Sequence, residues 1–107
     1  MRAAQVILAG LALLGAGCVS MTPEQRLSHE IFLDAAGHCE SRYHTLHVDQ
    51  VDLDGNLKVH ADADTRSEIR QFTACYRDTI KDRVDSLRKS GKPVPDLLTK
   101  EPDIELD

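Results

Sequence analysis

Residues 46–61 read LHVDQVDLDGNLKVHA, and their pattern is the strongest indication of the fold class. Apolar and polar residues alternate on both sides of the Asp-Gly-Asn triplet at 54–56, which is a strong signal for a tight turn between two strands. The alternation changes phase near residues 49–50, so we expect a β-bulge there. A three-residue turn would place Leu53 opposite Leu57 on one shared apolar face. The stretch therefore predicts a β-hairpin.

Helical periodicity flanks this hairpin on both sides. Before it, Thr22 and Gln25 form a capping-box pattern, and apolar residues then recur at helical spacing up to Cys39. After it, a long apolar stripe steps by three and four and stops at Gly91, a typical residue just beyond a helix end. The stripe consists of Ile69, Phe72, Tyr76, Ile80, Val84 and Leu87. We predict an α+β domain of order α-β-β-α over residues 23–91.

The N-terminus has the composition of a secretory signal. Arg2 supplies one positive charge, an apolar run extends from Ala3 to Leu14, and small residues follow. The run is shorter than the roughly 20 residues that a membrane-spanning helix needs. We therefore expect export rather than a transmembrane anchor.

The segment LLGAGC at residues 13–18 resembles the lipobox of bacterial lipoprotein precursors, with Gly15 where that family most often has Leu. The resemblance implies a signal peptide over 1–17, cleavage before Cys18, and attachment of lipid to that cysteine. Residues 18–22 would then be the lipidated N-terminus and a short tether, with the domain facing the periplasm. In enterobacterial lipoproteins, Asp directly after the cysteine favours the inner membrane. Val stands there in this chain, which implies the outer membrane.

If Cys18 carries lipid, Cys39 and Cys75 remain as an even pair. In an oxidising compartment, such a pair predicts a disulfide between the end of the first helix and the middle of the second. The chain-entropy relation assigns this crosslink about 4 kcal/mol of stabilisation. The alternatives are a metal site or two buried thiols. A zinc site would need CxxC spacing or histidines at regular offsets, and neither is present.

Composition limits both the size of the core and the class of partner. A chain of 107 residues with no Trp, two Phe and two Tyr has room for one small domain with a small hydrophobic core. We therefore expect the domain to need either a covalent crosslink or a partner for stability. The formal net charge of −5 argues against nucleic acid, because phosphates need an excess of cations. Residues 92–107 are acidic, rich in Pro and sparse in apolar residues, which predicts a mobile, disordered tail.

Five histidines are noticeable in a chain of this length. His44 and His47 lie three positions apart, and the predicted hairpin would bring His60 across from them. Three imidazoles could converge there on zinc or copper, although their spacing matches no known ligand motif. A periplasmic metal-binding module that uses these three histidines is therefore our second hypothesis for the function.

The sequence contains no signature of catalysis or of a cofactor. It has neither a Gly-x-Ser-x-Gly motif nor a serine beside a histidine that is a likely general base, and its two remaining cysteines are expected to be paired. We therefore predict a protein that is not an enzyme and that carries no cofactor.

One surface of the second predicted helix has a regular pattern of charge. Its cations fall on a stripe beside the apolar face, and they are Arg66, Arg70, Arg77, Lys81 and Arg88. Such a stripe is either an ordinary solvated helix face or a docking surface for an acidic partner or for anionic headgroups. The leading hypothesis is a non-enzymatic envelope lipoprotein that contacts another protein or the cell wall.

Overall fold

The computed structural model describes residues 21–62 and 66–106. These described residues form two long helices, three strands and one 3₁₀ turn: α1 (Pro23–Glu40), β1 (Leu46–Val51), β2 (Leu57–Ala61), α2 (Arg66–Lys89), the 3₁₀ turn (Asp96–Thr99) and β3 (Ile104–Leu106). The predicted α+β class, with a helix, a hairpin and a second helix, is confirmed, and a short third strand is added. The predicted signal peptide and the lipidation site at Cys18 lie outside the described residues.

Helix α1 begins at the predicted cap. The backbone N–H of Gln25 donates to Thr22 Oγ1 at 3.1 Å, and the backbone N–H of Thr22 donates to Gln25 Oε1 at 3.0 Å. This reciprocal pair satisfies two donors that a helix start otherwise leaves open. The helix buries one face, which includes Ile31, Phe32, Ala35, Ala36 and Cys39.

Helix α2 packs its apolar stripe against α1 and ends as the sequence predicts. Phe72, Tyr76 and Ile80 from this stripe lie in the core. Gly91 has a φ of 71°. The N–H of the next residue, Lys92, donates back to the carbonyl of Leu87 in the last turn of the helix, at 2.9 Å. This left-handed turn satisfies carbonyls at the helix end, which is why glycine is suited to the position. No helix of the described residues is both long and apolar enough to span a bilayer.

The hairpin has the predicted bulge but a different register. Strands β1 and β2 are antiparallel, and the register shifts between Val48 and Gln50. Val51, rather than Leu53, lies opposite Leu57. Leu53 therefore sits in the turn, where it is 39 % exposed, and the predicted pairing of Leu53 with Leu57 is wrong.

Hydrogen bonds of one carboxylate explain the longer turn. Asp52 Oδ1 accepts from the backbone N–H of Asp54 at 2.9 Å and from that of Asn56 at 2.8 Å. Aspartate often nucleates turns by bonding backbone groups that follow it in this way. The turn consequently occupies five residues instead of three.

Residues 92–107 were predicted to form a mobile tail, and the structure corrects this for the part that it describes. Leu98 is only 5 % exposed, and β3 pairs in parallel with β2, with Ile104 beside Leu57. The N–H of Leu57 donates to the carbonyl of Asp103 at 2.9 Å, and the N–H of Asp103 donates to Asn56 Oδ1 at 2.8 Å. Few apolar residues are enough to hold this segment against the domain, because they pack on a core that α1, α2 and the hairpin already form.

Cys39 and Cys75 lie at disulfide distance. Their Cα atoms are 6.0 Å apart, which is within the usual range for a disulfide, although they are separated by 36 positions in the sequence. The pair joins the end of α1 to the middle of α2, as predicted. Because Cys39 is fully buried, a disulfide between the two cysteines would lie in the core.

The turn of the hairpin is held against both helices at Gly55. This residue has a φ of 88°, and an added Cβ atom would meet the ring of Phe32 at 2.6 Å. The buried hydroxyl of Tyr76 donates to the carbonyl of Gly55 at 2.6 Å. Burial, together with the nearby charge of Asp52, raises the pKa of Tyr76 above its ordinary value. This contact fixes the position of the sheet relative to α1 and α2.

Candidate functional site

A cleft of 340 Å³ lies between α2 and the C-terminal segment. Its volume falls at the lower end of the range for ligand pockets, about 300–1,000 Å³. The apolar side chains that line it are Ile80, Val84, Leu98 and Pro102, and the cationic ones are Arg77, Lys81, Arg88 and Lys100. The cleft therefore combines apolar and positively charged lining.

Helical geometry explains why α2 contributes these side chains together. Positions 77, 81, 84 and 88 are separated by steps of four and three, which bring residues to the same face of a helix. The apolar members at 80 and 84 belong to the stripe that also packs in the core. The cleft thus lies where the edge of the apolar stripe meets the row of cations.

Arg77 joins the two walls of the cleft. Its Nη2 atom donates to the carbonyl of Pro102 at 3.0 Å and lies 3.5 Å from Glu101 Oε1. The guanidinium therefore holds the C-terminal segment against α2, so its first role is structural.

Within the part of the chain that the structure describes, the other cations of the cleft form weaker ion pairs or none. Arg88 Nη1 is 3.9 Å from Asp85 Oδ1, at the limit of an ion pair, and both side chains are at least half exposed. The ammonium groups of Lys81 and Lys100 form no ion pair with residues 21–62 or 66–106. Among the described residues that line the cleft, Glu101 is the single carboxylate. The cleft therefore carries an excess of positive charge in a chain whose net charge is −5.

The predicted cationic stripe is only partly assembled. Arg77, Lys81 and Arg88 line the cleft, whereas Arg70 is exposed and borders a neighbouring shallow depression. The side chain of Arg66 lies outside what the structure describes. Sequence reasoning also missed Lys100 and Leu98, because both lie in the segment that was predicted to be mobile. The available signal was the pair of leucines at 97–98, which is unusual for a solvated tail.

A second group of side chains lies on the hairpin, far from the cleft in sequence. His47 on β1 is directly opposite His60 on β2, and the two ring centroids are 5.0 Å apart with planes inclined by 30°. His47 Nε2 lies 2.7 Å from Asp62 Oδ2, and His60 Nδ1 lies 2.8 Å from Asp49 Oδ1. Each imidazole therefore has a carboxylate partner.

His44 does not belong to this group. In the described ranges, His47, His60 and Asp62 each offer an atom suited to a metal, and these atoms lie within 4.8 Å of one another. The prediction that His60 would lie across from His47 is confirmed, but Asp62 takes the place that was assigned to His44, which is exposed. Asp49, at the bulge, was also missed, because sequence reasoning expected the bulge without assigning a partner to the displaced residue.

Comparison with protein-family models, with curated proteins and with solved structures gives no match to this chain. The two groups of side chains, together with the lipobox resemblance, are therefore the basis for any statement about its function.

Proposed function

We propose that this chain is a lipid-anchored, periplasm-facing lipoprotein of the bacterial envelope, and that it binds an acidic segment of a partner protein in the cleft of α2. The role is one of binding rather than catalysis. The observation that carries the proposal is the cleft itself, whose described lining combines apolar side chains with four cations and one carboxylate, Glu101.

Charge distribution favours an acidic partner. A chain with a net charge of −5 repels an anionic segment over most of its surface, whereas the cleft attracts it. Such a contrast steers the encounter and determines the orientation of binding more than it adds affinity. The partner is therefore selected by where the cations lie, not by their total number.

Size and lining limit what can enter. A volume of 340 Å³ admits one or two side chains, and the surfaces of Ile80, Val84 and Leu98 favour apolar ones. A matching ligand is an extended segment that combines carboxylates with an apolar residue. The main body of the partner would remain outside.

The proposed anchor restricts where this binding takes place. Helix α1 begins at Pro23, five positions after Cys18, and five residues span at most roughly 18 Å. A domain on so short a tether stays next to the bilayer. The partner segment is consequently expected close to the membrane surface, with the outer membrane as the favoured location because Val19 follows the lipidated cysteine.

Intact mass spectrometry of the product purified from bacterial membranes tests the anchor. The expected mass is that of residues 18–107 plus acyl chains, and reduction should add two hydrogens at Cys39 and Cys75. Cys18→Ser should abolish the acyl mass and leave Met1 in place. A wild-type product that retains Met1, or that begins elsewhere without lipid, contradicts the lipoprotein proposal.

Fluorescence anisotropy with a labelled peptide of alternating Glu and Leu tests the cleft, and a Lys and Leu peptide of equal length is the control ligand. The double variant Lys81→Glu, Arg88→Glu should weaken binding of the acidic peptide by at least about tenfold, which corresponds to 1.4 kcal/mol. The double variant Arg70→Glu, Lys89→Glu is the matched control, since it reverses two charges on the same helix outside the cleft. Equal losses for both variants, or equal binding of the two peptides, would contradict the proposal.

Anionic lipid is the competing occupant of the cationic cleft. Flotation with phosphatidylglycerol vesicles, using the same variants, separates the two. If the double variant loses vesicle binding and keeps peptide binding, the partner is the membrane and the proposal of an acidic protein segment is overturned.

A further inference from the structure

We infer that His47, His60 and Asp62 form a binding site for one divalent metal ion of the zinc and copper class, with Asp49 as the residue that orients His60. The site lies on the hairpin, and it is independent of both the cleft and the proposed anchor.

Backbone geometry brings the two imidazoles together. His47 and His60 are a cross-strand pair, and their ring centroids are 5.0 Å apart. The strand pairing fixes both Cα positions, so ordering the site needs only side-chain rotation. A site on paired strands is for this reason better organised than one on a loop.

The separations fit a shared ion. Zinc–nitrogen and zinc–oxygen bonds are about 2.0–2.2 Å, so two ligands of one tetrahedral ion lie roughly 3.4 Å apart. His47 Nε2 and Asp62 Oδ2 are already 2.7 Å apart, and the widest separation in the group is under 4.8 Å. Small rotations of side chains that are about half exposed would close the difference.

The donor set and its charge favour zinc or copper. Two imidazole nitrogens with one carboxylate oxygen are a ligand set that suits zinc and copper, whereas calcium and magnesium prefer oxygen alone. The two carboxylates of Asp62 and Asp49 balance the charge of a divalent ion next to two neutral imidazoles. Three protein ligands leave a fourth coordination position for water.

Asp49 has the arrangement of an orienting carboxylate. Its two oxygens lie 2.8 and 2.9 Å from His60 Nδ1. A metal-binding histidine commonly bonds a carboxylate through one ring nitrogen and the metal through the other. Coordination through Nε2 would preserve the bond to Asp49 and hold the ring in place. Asp49 is thus a positioning residue, not a ligand.

Two His–Asp ion pairs at the surface would have the same distances, so the test measures metal binding directly. Zinc chloride is titrated into the full chain by calorimetry at neutral pH, and one equivalent should bind. His47→Gln, His60→Gln and Asp62→Asn should each weaken binding more than about 100-fold, and Asp49→Asn about 10- to 100-fold, the usual effect of losing an orienting partner. His44→Gln is the matched control and should bind zinc as the wild-type chain does.

Two further measurements use the unaltered chain and need no variant to fold. On addition of zinc, the NMR signals of the His47 and His60 rings should shift, and those of His29, His38 and His44 should not. Copper should displace zinc, whereas calcium and magnesium should not compete. Absence of zinc binding, displacement by calcium, an equal loss in His44→Gln, or ring shifts confined to the other histidines would each overturn the inference. None of these outcomes bears on peptide binding in the cleft.

Discussion

Gly55→Ala should lower the free energy of unfolding by roughly 2–5 kcal/mol, because two separate costs act at this position. The residue has a φ of 88°, where a side chain costs about 1–2 kcal/mol. The new Cβ would also lie 2.6–2.8 Å from three ring atoms of Phe32, which is 1 % exposed and has no solvent to move into. Overpacking of this kind costs about 1–3 kcal/mol. Since small domains are only marginally stable, this loss should move the urea midpoint of unfolding clearly to lower concentration.

Gly91→Ala is the matched control for Gly55→Ala. Gly91 also has a positive φ, at 71°, but an added Cβ would meet nothing within 4 Å. It should therefore show the backbone cost alone, about 1–2 kcal/mol. Urea denaturation of both variants, followed by circular dichroism, measures the difference. Equal losses would refute the argument that Phe32 packs against the hairpin turn. In the double variant with Phe32→Leu, part of the additional loss at Gly55 should be recovered, because the smaller side chain relieves the contact.

Three other predictions concern the core and the C-terminal segment. Burial keeps Tyr76 protonated in the folded chain above pH ~10, where the unfolded chain loses the proton. The free energy of unfolding should therefore fall as the pH rises from about 10, by up to about 1.4 kcal/mol per pH unit, and Tyr76→Phe should remove this fall in alkaline urea titrations. Leu98→Ala should lower the free energy of unfolding by about 2–4 kcal/mol in urea denaturation, whereas Leu106→Ala, at a residue that is 42 % exposed, should lower it little. Equally small effects of both variants would mean that residues 92–107 form a mobile tail, as the sequence predicts. Reduction of the Cys39–Cys75 crosslink should lower the unfolding free energy by about 4 kcal/mol in the same assay, and an unchanged midpoint would show that the crosslink is absent.

The hairpin shows which features of a strand pair can be predicted from local sequence and which cannot. The phase change near residues 49–50 predicted the bulge, and the triplet at 54–56 predicted the turn. The predicted register was wrong by two residues. The carboxylate of Asp52 accepts hydrogen bonds from two backbone N–H groups, and the turn is therefore longer than predicted. Alternation in sequence reports which face a residue prefers, but competition among hydrogen-bond donors decides where pairing stops.

The candidate sites show the same division. Helical spacing predicted that Arg77, Lys81 and Arg88 share a face, since the period of a helix is a local property. These cations border a cleft because Leu98 and Lys100 form its other wall. Both residues reach α2 only because the C-terminal segment folds back. Sequence spacing could not show this, because the segment contains few apolar residues of its own.

Features that depend on neighbours along the chain can be read from the sequence: two capped helices, a bulged hairpin between them, two cysteines available to pair, and an N-terminal segment that resembles a lipobox. Features that need a surface formed by distant residues appear only in the folded chain. The third strand forms because β2 has an open edge, Leu98 is buried because the helices leave an apolar face, and Asp62 replaces His44 beside His47 and His60 because strand register sets which side chains meet. Burial and pairing between distant residues are collective, so their energies exist only once the rest of the core is in place.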